Sequence, residues 1–316
     1  MLTEIPRAWR RDQVGRHDWL VPLPPRCAEE LDAVVDRLRR DPPAASLPAP
    51  DRFALAACAE LMAAVRHRLL AGIGLAVVDR VPVERYTVEE NRALCWILTQ
   101  LLGRPVAQKW DGTLLYDVRD TGKALGYGVR RSVTNEELRF HTDGAWLERP
   151  PELVGLYCLN PAREGGVSRF VSLGTVDDEL AVRHPGVRRR LHRPFPWDRQ
   201  AEHTPGDDKV AWQPILQWKD GRSLVRVNEH LIATGAALAG APLDAEGEEA
   251  LRAMREVMEA PELSVELRIE RGQLQYLHNH EYAHSRTDFH DAPEPHLKRH
   301  LIRVWTREDG APAFEG

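Results

Sequence analysis

Apolar residues recur at intervals of three and four through "RCAEELDAVVDRLRR" (26–40), which predicts an amphipathic helix. "DPPAASLPAPD" (41–51) then breaks the pattern with prolines and predicts a loop. The helical period returns over 51–71, with Asp51 as candidate N-cap, and Gly72 and Gly74 lead into the β-type run "GLAVVDRV". A further helix is predicted over 87–102, ending at Gly103. Residues 1–104 therefore read as a mainly helical support with one strand.

Beyond residue 105 the period shortens to two. Short β-type runs separated by turn residues follow: "GTLLYDV", "ELRFHTD", "ELVGLYCL", "SRFVSL", "PILQW", "RSLVRV", "SVELRI", "GQLQYLH" and "HLIRVWT". Helical insertions interrupt them near 176–191 and at 244–260, the second begun by Asp244. No repeat, low-complexity tract or linker-like composition break is present. The expectation is a single domain over 1–316, mainly β with flanking helices, whose core at 105–308 is a sandwich or jelly roll.

Composition narrows the function classes. The chain has 316 residues, 43% of them hydrophobic, enough to bury a large core. Its net charge of −5 comes from interleaved acids and bases with no basic tract, which argues against nucleic acid as partner. No apolar run is long enough to span a membrane, and "MLTEIPRAWRRDQ" lacks a signal-peptide core, so a cytoplasmic location is expected. Cys27, Cys58, Cys95 and Cys158 lie far apart and mostly in apolar segments, as reduced, buried thiols do.

Candidate chemistry concentrates in two places. In "RFHTDGAW" (139–146), His141 and Asp143 would share one face of an extended segment. A His-x-Asp/Glu triplet occurs by chance about twice in a shuffled chain of this composition, so the pair needs support from elsewhere. That support lies in "LHNHEYAHSRTDFHD" (277–291), where His278, His280 and His284 have the same parity and spacing alone does not choose among them. In "KRHLIRVWT", Arg299, Leu301, Arg303 and Trp305 share one strand face and His300, Ile302 and Val304 the other. His290, His296 and His300 read as surface or loop residues near a proline-rich turn.

Taken together, "ELRFHTDGAW", "NPAREGGVS", "NHEYAHSRTDF" and "RHLIRVW" resemble the iron(II)- and 2-oxoglutarate-dependent dioxygenases of the taurine dioxygenase (TauD/TfdA) and clavaminate synthase-like superfamily, in order and spacing, over about residues 74–307. The resemblance implies a double-stranded β-helix (jelly roll) core. It implies His141, Asp143 and His284 as Fe(II) ligands, while His280, which would share a strand face with His284, is the rival for the third position. It also implies Arg299 as anchor for the distal carboxylate of 2-oxoglutarate, Arg303 at the carboxylate nearer the metal, and a hydroxyl contact from Ser168. The chain departs from the family at Ser285, where a glycine is usual, and at His278-Asn279, where Asn-Asn is usual. The implied reaction, with O2 as third reactant, decarboxylates 2-oxoglutarate to succinate and CO2 while oxidising an unactivated C–H. Asp143 stands where halogenating relatives carry a small residue, so oxygen transfer is implied.

The substrate is expected to be a small amino-acid-like or specialised metabolite. Arg130 and Arg131 in "GYGVRRSVTNEEL", Arg286 and, more weakly, Arg226 are candidate contacts for it. Trp146, Trp197, Trp212 and Trp218 are candidate pocket walls. A zinc-dependent hydrolase with the same His-Asp-His set and a non-catalytic jelly-roll binding module are the rival readings. The first leaves Arg299, Arg303 and Gly165-Gly166-Val167-Ser168 unexplained, and retention of all three ligands plus the arginine argues against the second. The oligomeric state is not legible in the sequence.

Overall fold

All ten predicted β-type runs form strands in the computed structural model, which describes residues 7–42, 47–124, 126–204, 206–219 and 222–314. The first six residues and the centre of the proline-rich loop, 43–46, lie outside the described residues, and with them part of two sequence readings.

Seven strands make the larger sheet, in the order Leu20–Pro22, Leu75–Asp79, Leu274–His278, Leu153–Asn160, His300–Arg307, Arg104–Val106, with Leu115–Val118 also paired to His300–Arg307. The smaller sheet has four, Ser264–Leu267, Ser168–Ser172, Tyr282–Arg286 and Leu138–His141, all antiparallel. Period-two burial explains how both sheets pack. On the larger sheet Ala76, Val78, Tyr157, Leu274, Tyr276, Ile302 and Val304 pack against the helices Pro25–Arg40, Ala56–Leu70 and Val88–Leu102. Its opposite face, through Val106, Val154 and Trp305, meets Phe140, Val171 and Ala283 of the smaller sheet. The chain is thus mainly sheet with flanking helices.

Several elements differ from the sequence reading. The helix predicted from Asp51 begins at Ala56, because Pro50–Arg52 forms a separate 3-10 turn and Leu55 occupies the N-cap position. The N-terminal support contains two strands, not one; Leu20–Pro22 is too short for its alternation to register and lies parallel to Leu75–Asp79. The first insertion is two helices, Leu173–Arg183 and Val187–Leu191. Asp244 does cap Ala245–Met258, accepting from the backbone N–H of Gly247 at 2.6 Å. A helix that sequence missed, Glu229–Ala239, is capped by Asn228 and packs on the ribbon Pro194–Asp198/Val210–Pro214.

Two of these differences shape the site. The segment after His278 does not run through as one strand: it turns at 279–281 and restarts as Tyr282–Arg286, in the other sheet. The equal parity of His278, His280 and His284 therefore does not put them on one face. No helix among the described residues is long and apolar enough to cross a membrane.

Candidate metal and co-substrate site

His141 closes the strand Leu138–His141 and pairs in register with His284 on Tyr282–Arg286, which brings the two imidazole centroids to 4.1 Å. Asp143 follows on the turn after the first strand. One donor atom from each of His141, Asp143 and His284 lies within 4.8 Å of the others, and this is the one such His/Cys/Asp/Glu group among the described residues. His278 and His280 stand apart from it: His280 Nε2 lies 3.3 Å from the carbonyl of Pro150.

Each ligand is held by its own partners. His141 Nδ1 lies 2.9 Å from the carbonyl of Arg139, an acceptor only, so Nδ1 carries the proton and the Nε2 lone pair faces Asp143 Oδ1 at 3.4 Å. Asn279 clamps the Asp143 backbone, accepting from its N–H at 2.8 Å and donating to its carbonyl at 2.9 Å and to that of Pro151 at 3.0 Å. Asp143 Oδ2 accepts from Trp305 Nε1 at 2.8 Å and is ion-paired with Arg303 Nη1 at 3.1 Å. Arg303 Nε in turn donates to Gln108 Oε1 at 2.7 Å, and Gln108 Nε2 returns to the Arg303 carbonyl at 2.8 Å.

These surroundings set the charge states. Burial alone would raise the Asp143 carboxyl, but the Arg303 guanidinium paired with it outweighs burial and holds the carboxyl far below the usual carboxylate range. Burial, then the neighbouring His141, push the His284 imidazole down to about 3, so it is neutral at ordinary pH. Two neutral-capable imidazoles and one carboxylate, dry and converging, are the donor set of a divalent transition-metal site.

Arg299 and Arg303 fit the anion of a dicarboxylate. Arg299 is 5% exposed, and its Nη1 has no hydrogen-bond partner among the described residues; the same holds for Arg303 Nη2. Buried N–H groups of a cation left unpaired are costly, and a carboxylate supplies the missing acceptors. The Phe289 ring centre lies 5.0 Å from the Arg299 guanidinium and 4.6 Å from that of Arg286. Gly165 and Gly166, both at positive φ, form the turn that lies against them: a Cβ on Gly165 would sit 2.2 Å from the Asp288 carbonyl oxygen. Ser168 pairs in register with Arg286, nearly buried.

A cavity of about 550 Å³ opens beside the ligands, walled by Arg130, Arg131, Trp146, Arg226, Arg303 and Trp305 and roofed by Glu229–Ala239 and Ala245–Met258. Arg130 is buried and paired with Glu202 at 2.9 Å, while Arg131 is half-buried and paired with Glu136 at 3.2 Å. Arg226 donates to Gln217 and to the carbonyls of Leu147 and Glu148.

The remaining expectations are corrected. Arg286 does not reach this cavity: it donates to the carbonyls of Thr134, Glu136 and Thr287 and holds the 134–137 turn. Trp212 and Trp218 are 53% and 73% exposed, on two-stranded ribbons outside the core, and do not line the cavity beside the ligands. Trp197 is buried away from the cavity lining. His300 is half-buried on the strand His300–Arg307, with Nε2 2.7 Å from Asp117 Oδ1. Sequence reasoning missed Gln108 and gave no role to Trp305 or to the Asn279 side chain. The signal for Trp305 was present, because it shares a strand face with Arg303.

Residues 41–305 match the family model described as taurine catabolism dioxygenase TauD, TfdA family. Among curated proteins, FR-33289 synthase of Streptomyces rubellomurinus is 27% identical over 260 residues, 81% of this chain and 75% of that protein. Uridine-5'-phosphate dioxygenase of a Streptomyces species is 30% identical over 172 residues, 51% of this chain and 59% of that protein. Among solved structures, asparagine oxygenase with Fe(II), 3-hydroxyasparagine and succinate superposes with a TM-score of 0.69 at 20% identity, over 92% of this chain and 94% of that one. The non-heme iron oxygenase OrfP with Fe and alpha-ketoglutaric acid gives 0.64 at 18% identity, over the same shares. At these identities the two structures share the fold with this chain.

Proposed function

The chain belongs to the taurine catabolism dioxygenase TauD/TfdA family, and from that premise we propose that His141, Asp143 and His284 hold Fe(II) while Arg299, Arg303 and Ser168 bind 2-oxoglutarate. The protein is an Fe(II)- and 2-oxoglutarate-dependent oxygenase, with O2 as third reactant, acting on a small molecule. The convergence of the three donors within 4.8 Å supports this ligand set over one containing His280. When bound, the iron supplies one-electron and O2 chemistry that no side chain of the chain can perform.

The chain's own part is binding and orientation. Arg299, unpaired and buried beneath Phe289, anchors the distal carboxylate, to which the Ser168 hydroxyl donates. Arg303 spans the Asp143 carboxylate and the carboxylate nearer the metal. The substrate enters the cavity between Arg130, Arg131 and Trp146, under the helix Glu229–Ala239. It is a small amino-acid-like or specialised metabolite, and its oxidised C–H is set by how those walls orient it. The two facing sheets are a double-stranded β-helix within one domain, working in the cytoplasm.

The test is optical. Protein purified without oxygen, given Fe(II) and 2-oxoglutarate, should develop a visible charge-transfer band. Asp143→Ala should abolish both the band and succinate release, with a native circular dichroism spectrum. A zinc hydrolase or a binding module would give no band in the unaltered protein, and an active Asp143→Ala variant would remove the triad.

A further inference from the structure

Four lone-pair directions surround an ionised carboxylate, and in Asp143 one of them, on Oδ2, is taken by a hydrogen bond while a guanidinium pairs with the same oxygen. Trp305 Nε1 donates to Oδ2 at 2.8 Å, and Arg303 Nη1 forms an ion pair with the same oxygen at 3.1 Å. Oδ1 is the oxygen that faces the imidazoles, 3.4 Å from His141 Nε2 and 4.0 Å from His284 Nε2. The two oxygens of one side chain are therefore committed to different tasks.

We propose that Trp305 is a positioning residue of the metal site, whose indole N–H keeps Asp143 Oδ2 occupied so that the carboxylate offers one oxygen to the cation instead of two. The inference rests on the metal-binding reading given above. The reason for such a device is a count of positions. An octahedral cation with three protein ligands keeps three positions, of which a 2-oxoacid chelate takes two. A carboxylate free to rotate and bind through both oxygens would consume the last, leaving no place for the third reactant.

Arg303 cannot hold Oδ2 alone in this way. Its guanidinium also serves Gln108 through Nε and has an unpaired Nη2 that the co-substrate would draw upon. A neutral indole N–H, in contrast, keeps its direction whatever anion arrives. Trp305 is itself fixed: it is 3% exposed, packed among Val106, Phe140 and Val154, with the Arg303 guanidinium 5.0 Å over its ring.

Trp305→Phe removes the N–H and retains most of the packing. Full-length protein without added co-substrate would be titrated with Co(II), reading affinity and the visible ligand-field spectrum, and the melting temperature of the metal-free protein would be taken alongside. The expected result is a roughly ten- to hundredfold change in Co(II) affinity, as loss of a partner to a metal ligand commonly gives. A changed ligand-field spectrum should accompany it. Trp305→Gln, which restores an N–H donor, should recover the original spectrum in part.

If Trp305→Phe binds Co(II) with unchanged affinity and spectrum, the residue is packing only and the proposal is overturned. Should that variant fail to fold, the Trp305 indole ¹⁵N–H resonance of the unaltered protein decides: a shift on adding Zn(II) supports the proposal, and an unmoved resonance overturns it. Absence of Co(II) binding by the unaltered protein would instead remove the metal-site reading itself.

Discussion

Arg299 carries the largest unmet electrostatic demand at the site. Burial pushes its guanidinium down to about 10, yet it stays protonated at neutral pH, with Nη1 unpaired and Phe289 stacked against one side. Each charge-assisted hydrogen bond to an arriving carboxylate is worth roughly 1.5–3 kcal/mol. Arg299→Ala should therefore weaken 2-oxoglutarate binding by at least about tenfold, measured by calorimetric titration of Mn(II)-loaded protein. Unchanged binding would transfer the anchor to Arg303. Asn279 invites a second substitution. Its side chain answers the N–H and C=O of Asp143 and the C=O of Pro151, all buried. Asn279→Ala leaves those groups unsatisfied, and a loss of about 1–3 kcal/mol of stability, with weaker Co(II) binding, should follow in chemical unfolding and metal titration. In the sequence this asparagine served only to set the register of His284; its backbone partners lie more than a hundred residues away, so no local pattern could show them.

At the scale of elements, legibility followed alternation. The ten strands with a recognisable apolar run were all visible in the sequence. Tyr282–Arg286 was not, because "YAHSR" is buried along nearly its whole length by pairing on both edges and packing on both faces, which erases the alternating signal. The strand that carries the third ligand is thus among those that patterning hid, and only resemblance pointed to His284. Its neighbour Tyr282 is fixed by a close approach: Gly74, at φ +72°, would place a Cβ 1.7 Å from Tyr282 Cε2. Gly74→Ala combines a disfavoured backbone with that clash and should cost at least about 1–3 kcal/mol, visible as a melting temperature lowered by several degrees. An unchanged melting temperature would mean that the tyrosine ring swings clear at no cost.

The four thiols report on the molecule as a whole. Cys27, Cys58 and Cys95 sit in the helices that cover the larger sheet, and Cys158 in that sheet's central strand Leu153–Asn160. All four are free and buried, and burial pushes Cys95 and Cys158 up to about 12, so neither exposure nor ionisation favours attack. Native protein should leave a colorimetric disulfide reagent unreacted at pH 8, and all four thiols should react once it is unfolded. The same chemistry tests the single-domain reading. The helices Ala56–Leu70 and Val88–Leu102 share one apolar cluster with Ala76, Tyr157, Tyr276 and Ile302 of the sheet. Removing those helices would expose the sheet face as well as their own apolar stripe, so the two layers should unfold together. Across a urea series all four thiols should then become reactive at one midpoint, coincident with the loss of near-ultraviolet dichroism. Three thiols reacting ahead of Cys158 would identify the helical layer as a separately unfolding unit and end the single-domain proposal.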